Sequence, residues 1–245
     1  MNEEIYLSVI IPAKNEEKRI IPTLKDIDRY LEKQPFNYEI IVVANNCTDK
    51  TVFVVDELKK EIENLKIIDL GAGCEGKGAA VKEGVKLADG KFIMFMDADN
   101  ATRINELDKF WQWFEKGYDI VIGSRHIKGA KIVIAQPWYR QLLGRAANLL
   151  IQAVLLPGIS DTQCGFKVFK KEVAKKLFSL SKIGGWGFDI EILALARKFG
   201  YKIKEAPVNW YEAGKSRLRP IKAAIRTLKE LFKIKYWILT NKYKI

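Results

Sequence analysis

The chain of 245 residues is poor in the side chains that build several common active sites. It has one histidine, His126, which excludes both a histidine-rich metal centre and a Ser-His-Asp triad. Its three cysteines, Cys47, Cys74 and Cys164, are odd in number, scattered and free of C-x-x-C spacing. They read as reduced thiols in a cytosolic compartment, not as a disulfide framework. No stretch approaches the roughly 20 apolar residues of a membrane-spanning helix. The acidic start, Met1-Asn2-Glu3-Glu4, runs directly into Ile5-Tyr6-Leu7-Ser8-Val9-Ile10-Ile11 and lacks the basic-then-apolar order of a signal peptide. Sequence repeats and low-complexity segments are also missing.

What is present supports a sizeable core: 48% of residues are hydrophobic, enough for one large α/β domain with an appendage. The net charge of +12 is unevenly placed. Ten Lys and Arg residues against Glu230 alone lie beyond residue 214. We therefore divide the chain into a domain over 1–214 and a basic amphipathic tail over 215–245. Such a pI is the generic mark of a nucleic-acid binder. Charge confined to an amphipathic tail points instead to an anionic membrane surface and away from nucleic acid.

Apolar runs at 5–11, 39–44, 66–69, 91–96, 119–123, 166–169 and 202–209 read as strands. Helical patterns fill 16–33, 51–64, 78–88, 104–116, 138–156, 171–179, 188–199 and 219–236. The alternation predicts βαβ units and a mostly parallel sheet flanked by helices. The most telling feature is Asp97-Ala98-Asp99 at the end of Lys91-Phe92-Ile93-Met94-Phe95-Met96. That run reads as a strand buried on both faces, so the two carboxylates fall at the carboxyl edge where such sheets bind ligands. Alone, D-x-D is equally a solvated turn or a helix cap. After a buried strand it suits a hard divalent cation, Mg²⁺ or Mn²⁺, on a diphosphate.

Other motifs cluster at loop positions. Ile11-Pro12-Ala13-Lys14-Asn15-Glu16-Glu17 follows the first strand and opens a helix, where backbone N–H groups are offered to a nucleotide. Gly76-Lys77-Gly78 places a lysine at a helix start within reach of phosphate, without the spacing of a P-loop. Arg125 follows the strand at 119–123, and Arg140 lies fifteen residues beyond. Both carry the planar fork suited to phosphate. Asp161-Thr162-Gln163-Cys164-Gly165-Phe166-Lys167 and Trp186-Gly187-Phe188-Asp189-Ile190-Glu191 are acid–aromatic–glycine clusters. In the second, Asp189 sits among apolar residues, where a carboxylate needs a partner.

In this order, these motifs resemble family 2 glycosyltransferases of the GT-A fold. They are most similar to the polyprenyl-phosphate sugar synthases, the dolichyl-phosphate glucosyltransferase and mannose synthase group. Val208-Asn209-Trp210 and Ser216-Arg217-Leu218 add to the likeness, which runs from about residue 5 to 220. The resemblance implies that Pro12, Ala13, Asn15, Glu16, Asn45, Lys77, Asp97 and Ala98 bind the nucleotide sugar, with Asp97 and Asp99 on the metal. It also implies that Arg125 and Arg140 grip the acceptor phosphate and that Asp189 is catalytic, a base in relatives that use hydroxyl acceptors.

Two departures stand out. Ala44-Asn45 replaces the acidic pair that follows strand two in the family, and Gly144 replaces a serine that mannose synthases show four residues after the second arginine. The implied reaction is an inverting transfer of a hexose to a polyprenyl or dolichyl phosphate. UDP-glucose is favoured over GDP-mannose as donor. The alternative is transfer to a hydroxyl acceptor. The implied location is peripheral, on the cytoplasmic membrane face, through the tail and the apolar 142–156 stretch.

Overall fold

The computed structural model describes residues 4–73, 76–133, 138–211 and 220–244, with the side chains of 138–143 and 220–225 outside the description. Among the described residues nine strands are formed: β1 (Leu7–Ala13), β2 (Tyr38–Ala44), β3 (Leu65–Asp69), β4 (Phe92–Met96), β5 (Ile120–Ser124), β6 (Lys131–Ile132), β7 (Phe166–Lys170), β8 (Ile203–Pro207) and β9 (Asn209–Trp210). Seven build one sheet in the order β3-β2-β1-β4-β7-β5-β8, and β6 pairs with β9 as a separate two-stranded ribbon. The helices are α1 (Ile20–Leu31), α2 (Thr51–Leu58), α3 (Lys77–Leu87), α4 (Trp111–Glu115), α5 (Trp138–Val154), α6 (Lys171–Leu180), α7 (Phe188–Lys198) and α8 (Pro220–Leu239).

The central strands are largely apolar on both faces, Ser8 of β1 and Lys167 of β7 being buried exceptions, and alternation assigns their residues to two layers. Val9, Ile11, Ile40, Val42, Met94 and Val168 pack with α1, α2 and the 104–114 segment. Ile10, Ile41, Val43, Ile93, Phe95 and Phe169 pack with α3, α6 and α7. The same second layer takes in Leu231, Ile234 and Tyr243 of the tail.

The expected parallel sheet is interrupted once. β7 runs antiparallel to both neighbours, with Met96 opposite Phe166 and Ile122 opposite Lys167. This reversal decides where the site lies. The segment leading into β7, residues 161–165, arrives at the same edge at which β1, β2, β4 and β5 end.

Several expected boundaries shift. The helix expected from residue 16 starts at Ile20, because residues 17–19 form a turn held by the Arg19 N–H on the Glu16 carbonyl at 2.9 Å. The helix expected over 104–116 divides into a 3₁₀ segment, Ile104–Lys109, and α4. The strand expected over 202–209 ends at Pro207, whose ring lacks the N–H a ladder needs. β6 was not expected.

Candidate active site

Among the described residues the carboxyl edge gathers five cation–carboxylate pairs, one of them Arg19 forked onto Glu16 with both contacts at 2.7 Å. Lys77 Nζ lies 2.5 Å from Asp97 Oδ1. Arg19 reaches Asp99 at 3.8 Å. Lys167 Nζ donates to Asp189 Oδ1 at 2.5 Å and to the Cys164 carbonyl at 2.6 Å, and both partners of that pair are buried. Arg125 forks onto Asp161, Nε to Oδ2 at 2.7 Å and Nη2 to Oδ1 at 2.9 Å, while its backbone N–H also donates to Oδ2.

Close packing explains the arrangement. The Asp97 N–H donates to the Gly165 carbonyl at 3.1 Å. A Cβ at position 165 would stand 2.1 Å from Asp97 Oδ2, so the glycine of the 161–167 motif makes room for the acid of D-x-D. The glycines beside Lys77 act in the same way. A Cβ on Gly78 would strike Phe188 and the Ile183 carbonyl, and one on Gly76, whose φ is +96°, would strike the Gly184 carbonyl. These contacts bring the start of α3 against the loop before α7. The glycines thus serve packing, while the lysine side chain enters the site between Asp97 and the rings of Trp186 and Phe188, 5.6 and 5.9 Å from their centroids.

The electrostatics are uneven. Burial pushes the Asp99 carboxyl above its ordinary value, and the adjacent Asp97 adds to this. Burial also raises Asp189, against the pull of Lys167 and Lys77. Burial alone lowers an ammonium, yet Asp97 and Asp189 outweigh it at Lys77 and hold that group above the usual range. Asp161 goes the other way: burial pushes it up, but the Arg125 charge and its fork bring it below the normal carboxylate value. Cys164, buried beside Asp161, is pushed up to about 12 and is no nucleophile.

Pro12, Ala13, Asn15 and Glu16 lie at the end of β1, and Asn45 at the end of β2. The expectation that the junction over 11–17 offers backbone N–H groups to a ligand fails at Glu16 and Glu17. The Glu16 N–H donates to Thr51 Oγ1 at 2.7 Å and that of Glu17 to Asp49 Oδ2 at 3.2 Å, so the turn leading into α2 already satisfies both. Asn45 is buried, and its Nδ2 donates to the Gly76 carbonyl at 2.7 Å. Its Oδ1 is a buried acceptor with no hydrogen-bond partner among the described residues. Ala98 is buried, its carbonyl accepting the Thr23 hydroxyl at 2.9 Å. Arg125 is not an unattached cation awaiting phosphate, since two of its donor edges are committed to Asp161. The Arg140 side chain, Cys74 and residues 216–218 lie outside the described residues.

Sequence reasoning missed Arg19, Lys167 and Asp161 as charge partners. A signal for Lys167 existed, a lysine inside the otherwise apolar strand Phe166–Lys170. It also missed Asn46 and Asn100, which follow β2 and β4 with φ of 53° and 56°, the conformation that Asn15, expected at the nucleotide sugar, takes after β1 with φ of 58°. Asparagine tolerates this left-handed region, which turns the chain back at the sheet edge.

Acids and lysines at the carboxyl edge of such a sheet mark a group-transfer enzyme acting on an anionic substrate. The chain matches the family model for glycosyl transferase family 2 over residues 8–178 and belongs to that family. It is 35% identical to a dolichyl-phosphate beta-glucosyltransferase of Dictyostelium discoideum, over 99% of this chain and 78% of that protein. Identity to the human enzyme of the same name is 33%, over 98% and 78% of the two chains. Among solved structures, glucosyl-3-phosphoglycerate synthase from Mycobacterium tuberculosis, in complex with Mn²⁺, UDP-glucose and phosphoglyceric acid, superposes with a TM-score of 0.72. Its sequence identity is 19%, over 94% and 80% of the chains. Mannosyl-3-phosphoglycerate synthase from Rubrobacter xylanophilus gives the same TM-score at 16% identity, over 98% and 76%. The fold is therefore GT-A-like, as the sequence implied.

Proposed function

We propose that this glycosyltransferase moves glucose from UDP-glucose to a dolichyl or related polyprenyl phosphate, with inversion at the anomeric carbon. The near-full-length likeness to dolichyl-phosphate beta-glucosyltransferases supports the substrate pair. The geometric observation that carries it is the Lys77–Asp97–Asp99 group beside the Lys167–Asp189 pair at one sheet edge. An oxygen of the acceptor phosphate attacks C1 of glucose, the bond from C1 to the diphosphate oxygen breaks, and its electron pair leaves with UDP. The attacking oxygen is already anionic, so no strong base is required. Asp189, tied to Lys167, is suited to orienting a sugar hydroxyl more than to taking a proton.

Among the described residues no three Asp, Glu, His or Cys side chains are grouped to enclose a metal ion. The pair Asp97 and Asp99 nonetheless fits Mg²⁺ or Mn²⁺, which commonly take one or two carboxylates and complete their coordination with substrate phosphates. When bound there, the cation would neutralise charge building on the departing diphosphate. Lys77 acts in the same sense from the protein side, as a fixed positive charge that needs no reorganisation during reaction. Asn45 Oδ1, a buried acceptor with no partner among the described residues, would accept an N–H of the nucleobase. Arg125, oriented by Asp161, would meet the acceptor phosphate through Nη1, which lies outside the fork, and Arg140 would supply the second contact.

A peripheral position on the cytoplasmic membrane face suits a lipid acceptor. No helix of the described residues is long and apolar enough to cross a membrane. Of the apolar residues whose helical spacing suits them to the membrane, Ile221, Ile225, Leu228, Leu231 and Phe232, with Tyr236 and Trp237 at headgroup level, Leu231 is instead buried and Trp237 packs against the core, because α8 lies against α5 and α7. Leu228, Phe232, Tyr236 and Leu239, spaced along one face of α8, stay exposed, with Leu149 and Leu150 of α5. Exposed Lys229 and Lys233 accompany that face, as on helices that lie in an anionic interface. The side chains of Ile221, Lys222 and Ile225, expected on the same helix, are outside the described residues.

The test is transfer of radiolabelled glucose from UDP-glucose to a short polyprenyl phosphate with Mg²⁺. The expected product is an acid-labile glucosyl phospholipid, and GDP-mannose should be the poorer donor. Transfer to free sugars or glycerol with no lipid product would move the assignment to the hydroxyl-acceptor alternative.

A further inference from the structure

The loop over 182–187 joins α6 to α7 and forms one wall of the site. It carries Trp186, whose ring is half exposed beside Lys77, and leads directly to Asp189. Its own backbone gives it one bond to the start of α3, the Ala79 N–H on the Gly184 carbonyl at 3.1 Å. Further ties come from the C-terminal segment, among them Lys182 Nζ on the Lys242 carbonyl at 3.0 Å. Glu230 Oε2 on α8 accepts the Gly187 N–H at 2.8 Å, and its other oxygen accepts from Arg226 Nε at 3.1 Å. Tyr243, buried just beyond α8, donates its hydroxyl to Glu191 Oε1 at 2.7 Å. The same Glu191 carboxylate accepts the N–H groups of Lys182 and Ile183.

The fit at this junction is close. A Cβ on Gly187 would lie 2.4 Å from Glu230 Oε2, and one on Gly185 would meet the Arg226 guanidinium at the same distance. The loop has a glycine at each point where α8 presses on it. A charge-assisted bond from a carboxylate to a backbone N–H is among the stronger anchors available to a loop. Loops that carry site residues commonly depend on such support for their position.

We propose that Glu230 and Tyr243 are positioning residues for the 182–187 loop, through which the C-terminal helix sets the approach of Trp186 and Asp189 to Lys77. This rests on the transferase reading of the Lys77–Asp97–Asp99 edge. It gives the tail a second role. One face of α8 carries the exposed apolar residues, and the opposite side frames the site. Contact of the outer face with a surface is thereby linked to the geometry of the loop.

The experiment compares Glu230→Ala, Glu230→Gln and Tyr243→Phe in the full chain. Acrylamide quenching of Trp186 is read as the difference between each protein and its Trp186→Phe counterpart. Glu230→Ala should at least double that quenching and lower kcat for glucose transfer at least tenfold, with KM for UDP-glucose within twofold. Glu230→Gln keeps an oxygen for the Gly187 N–H and should return both readouts to within threefold of wild type. Tyr243→Phe keeps the buried ring and should shift both in the same direction by two- to fivefold. Unchanged Trp186 quenching in Glu230→Ala and Tyr243→Phe, or a loss shared equally by kcat and UDP-glucose KM, would overturn the proposal. If Glu230→Ala does not fold, Tyr243→Phe decides by the same readouts. If the wild type transfers nothing to polyprenyl phosphate, the substrate reading fails while the quenching comparison still decides the positioning role.

Discussion

Glu39 at the amino edge of the sheet and Asp99 and Asp189 at its carboxyl edge are buried acids that the fold treats in opposite ways. At the amino edge, Glu39 at the start of β2 is almost wholly buried. It accepts the Ser8 hydroxyl at 2.6 Å, the Asp89 N–H at 2.7 Å and Lys66 Nζ at 2.7 Å. Burial pushes its carboxyl up, but those three donors outweigh burial and leave it below the ordinary value. At the carboxyl edge, Asp99 and Asp189 are held above theirs, burial again leading and their neighbours failing to offset it. An acid whose needs are met within the chain contributes to the fold. One that the fold leaves short of positive charge is ready for a ligand that brings it. Perturbed carboxylates gather at functional sites for this reason.

The largest effect should come from exchanging the two cases. Asp99→Asn should lower glucose transfer by about a thousandfold or more, a loss of roughly 4 kcal/mol in transition-state stabilisation. Its unfolding midpoint should stay equal to or above that of wild type, because the substitution removes a charge that burial disfavours. Glu39→Gln should do the reverse. Weakening charge-assisted bonds in a buried cluster costs about 1.5–3 kcal/mol, which for a chain of this size lowers Tm by roughly 3–12 °C. Its kcat should be within twofold of wild type. Thermal unfolding and the transfer assay on both variants check this; activity lost in Glu39→Gln and kept in Asp99→Asn would reverse the assignment of the edges.

The second prediction breaks the carboxyl edge without touching a charge. Gly165→Ala puts a methyl group where Asp97 Oδ2 now lies, at 2.1 Å. Asp97 must then swing away from Lys77. A displacement of about 1 Å in a catalytic group typically costs around a hundredfold, so kcat should fall by about that factor. Direct calorimetry should show weaker Mg²⁺-dependent UDP binding. Gly117→Ala is the control for general backbone effects. Gly117 has a φ of +81° but open space around its Cβ, so that variant should lose some stability and no activity.

How much of this was readable beforehand follows from local and non-local causes. The strands were legible because Tyr38–Ala44 and Phe92–Met96 are continuous apolar runs, and D-x-D was legible because it ends one of them. The family likeness correctly implied the GT-A-like fold. The direction of β7 was not legible, since a five-residue strand reads the same either way and its direction depends on the connection through α5. Without that direction, nothing in the sequence could put Gly165 beneath Asp97, or Lys167 on Asp189, 22 residues away. The tail was half legible. Its amphipathic period showed, but Leu231 and Phe232 are adjacent apolar residues, and only packing on α7 decides which faces the core.

The smallest effect is one of pH, and it separates the two edges by where it occurs. Glu39 has a folded value below its unfolded one, so its contribution is fully present above about pH 4.3, the ordinary glutamate value. That contribution disappears as pH falls through the lower folded value. The stability deficit of Glu39→Gln should therefore be constant from neutral pH down to that region and close only below it. Asp99 has the opposite sign. Its folded value lies above the unfolded one, so its ionised form weakens the fold at neutral pH, and protonation on acidification removes that cost. Any advantage of Asp99→Asn should accordingly begin to close at a higher pH than the Glu39→Gln deficit and be gone by about pH 3.9, the ordinary aspartate value. Urea midpoints of wild type and both variants between pH 7 and pH 3 measure the two gaps. If both close over the same interval, the two acids do not differ in the sense argued here, and the edges are electrostatically alike.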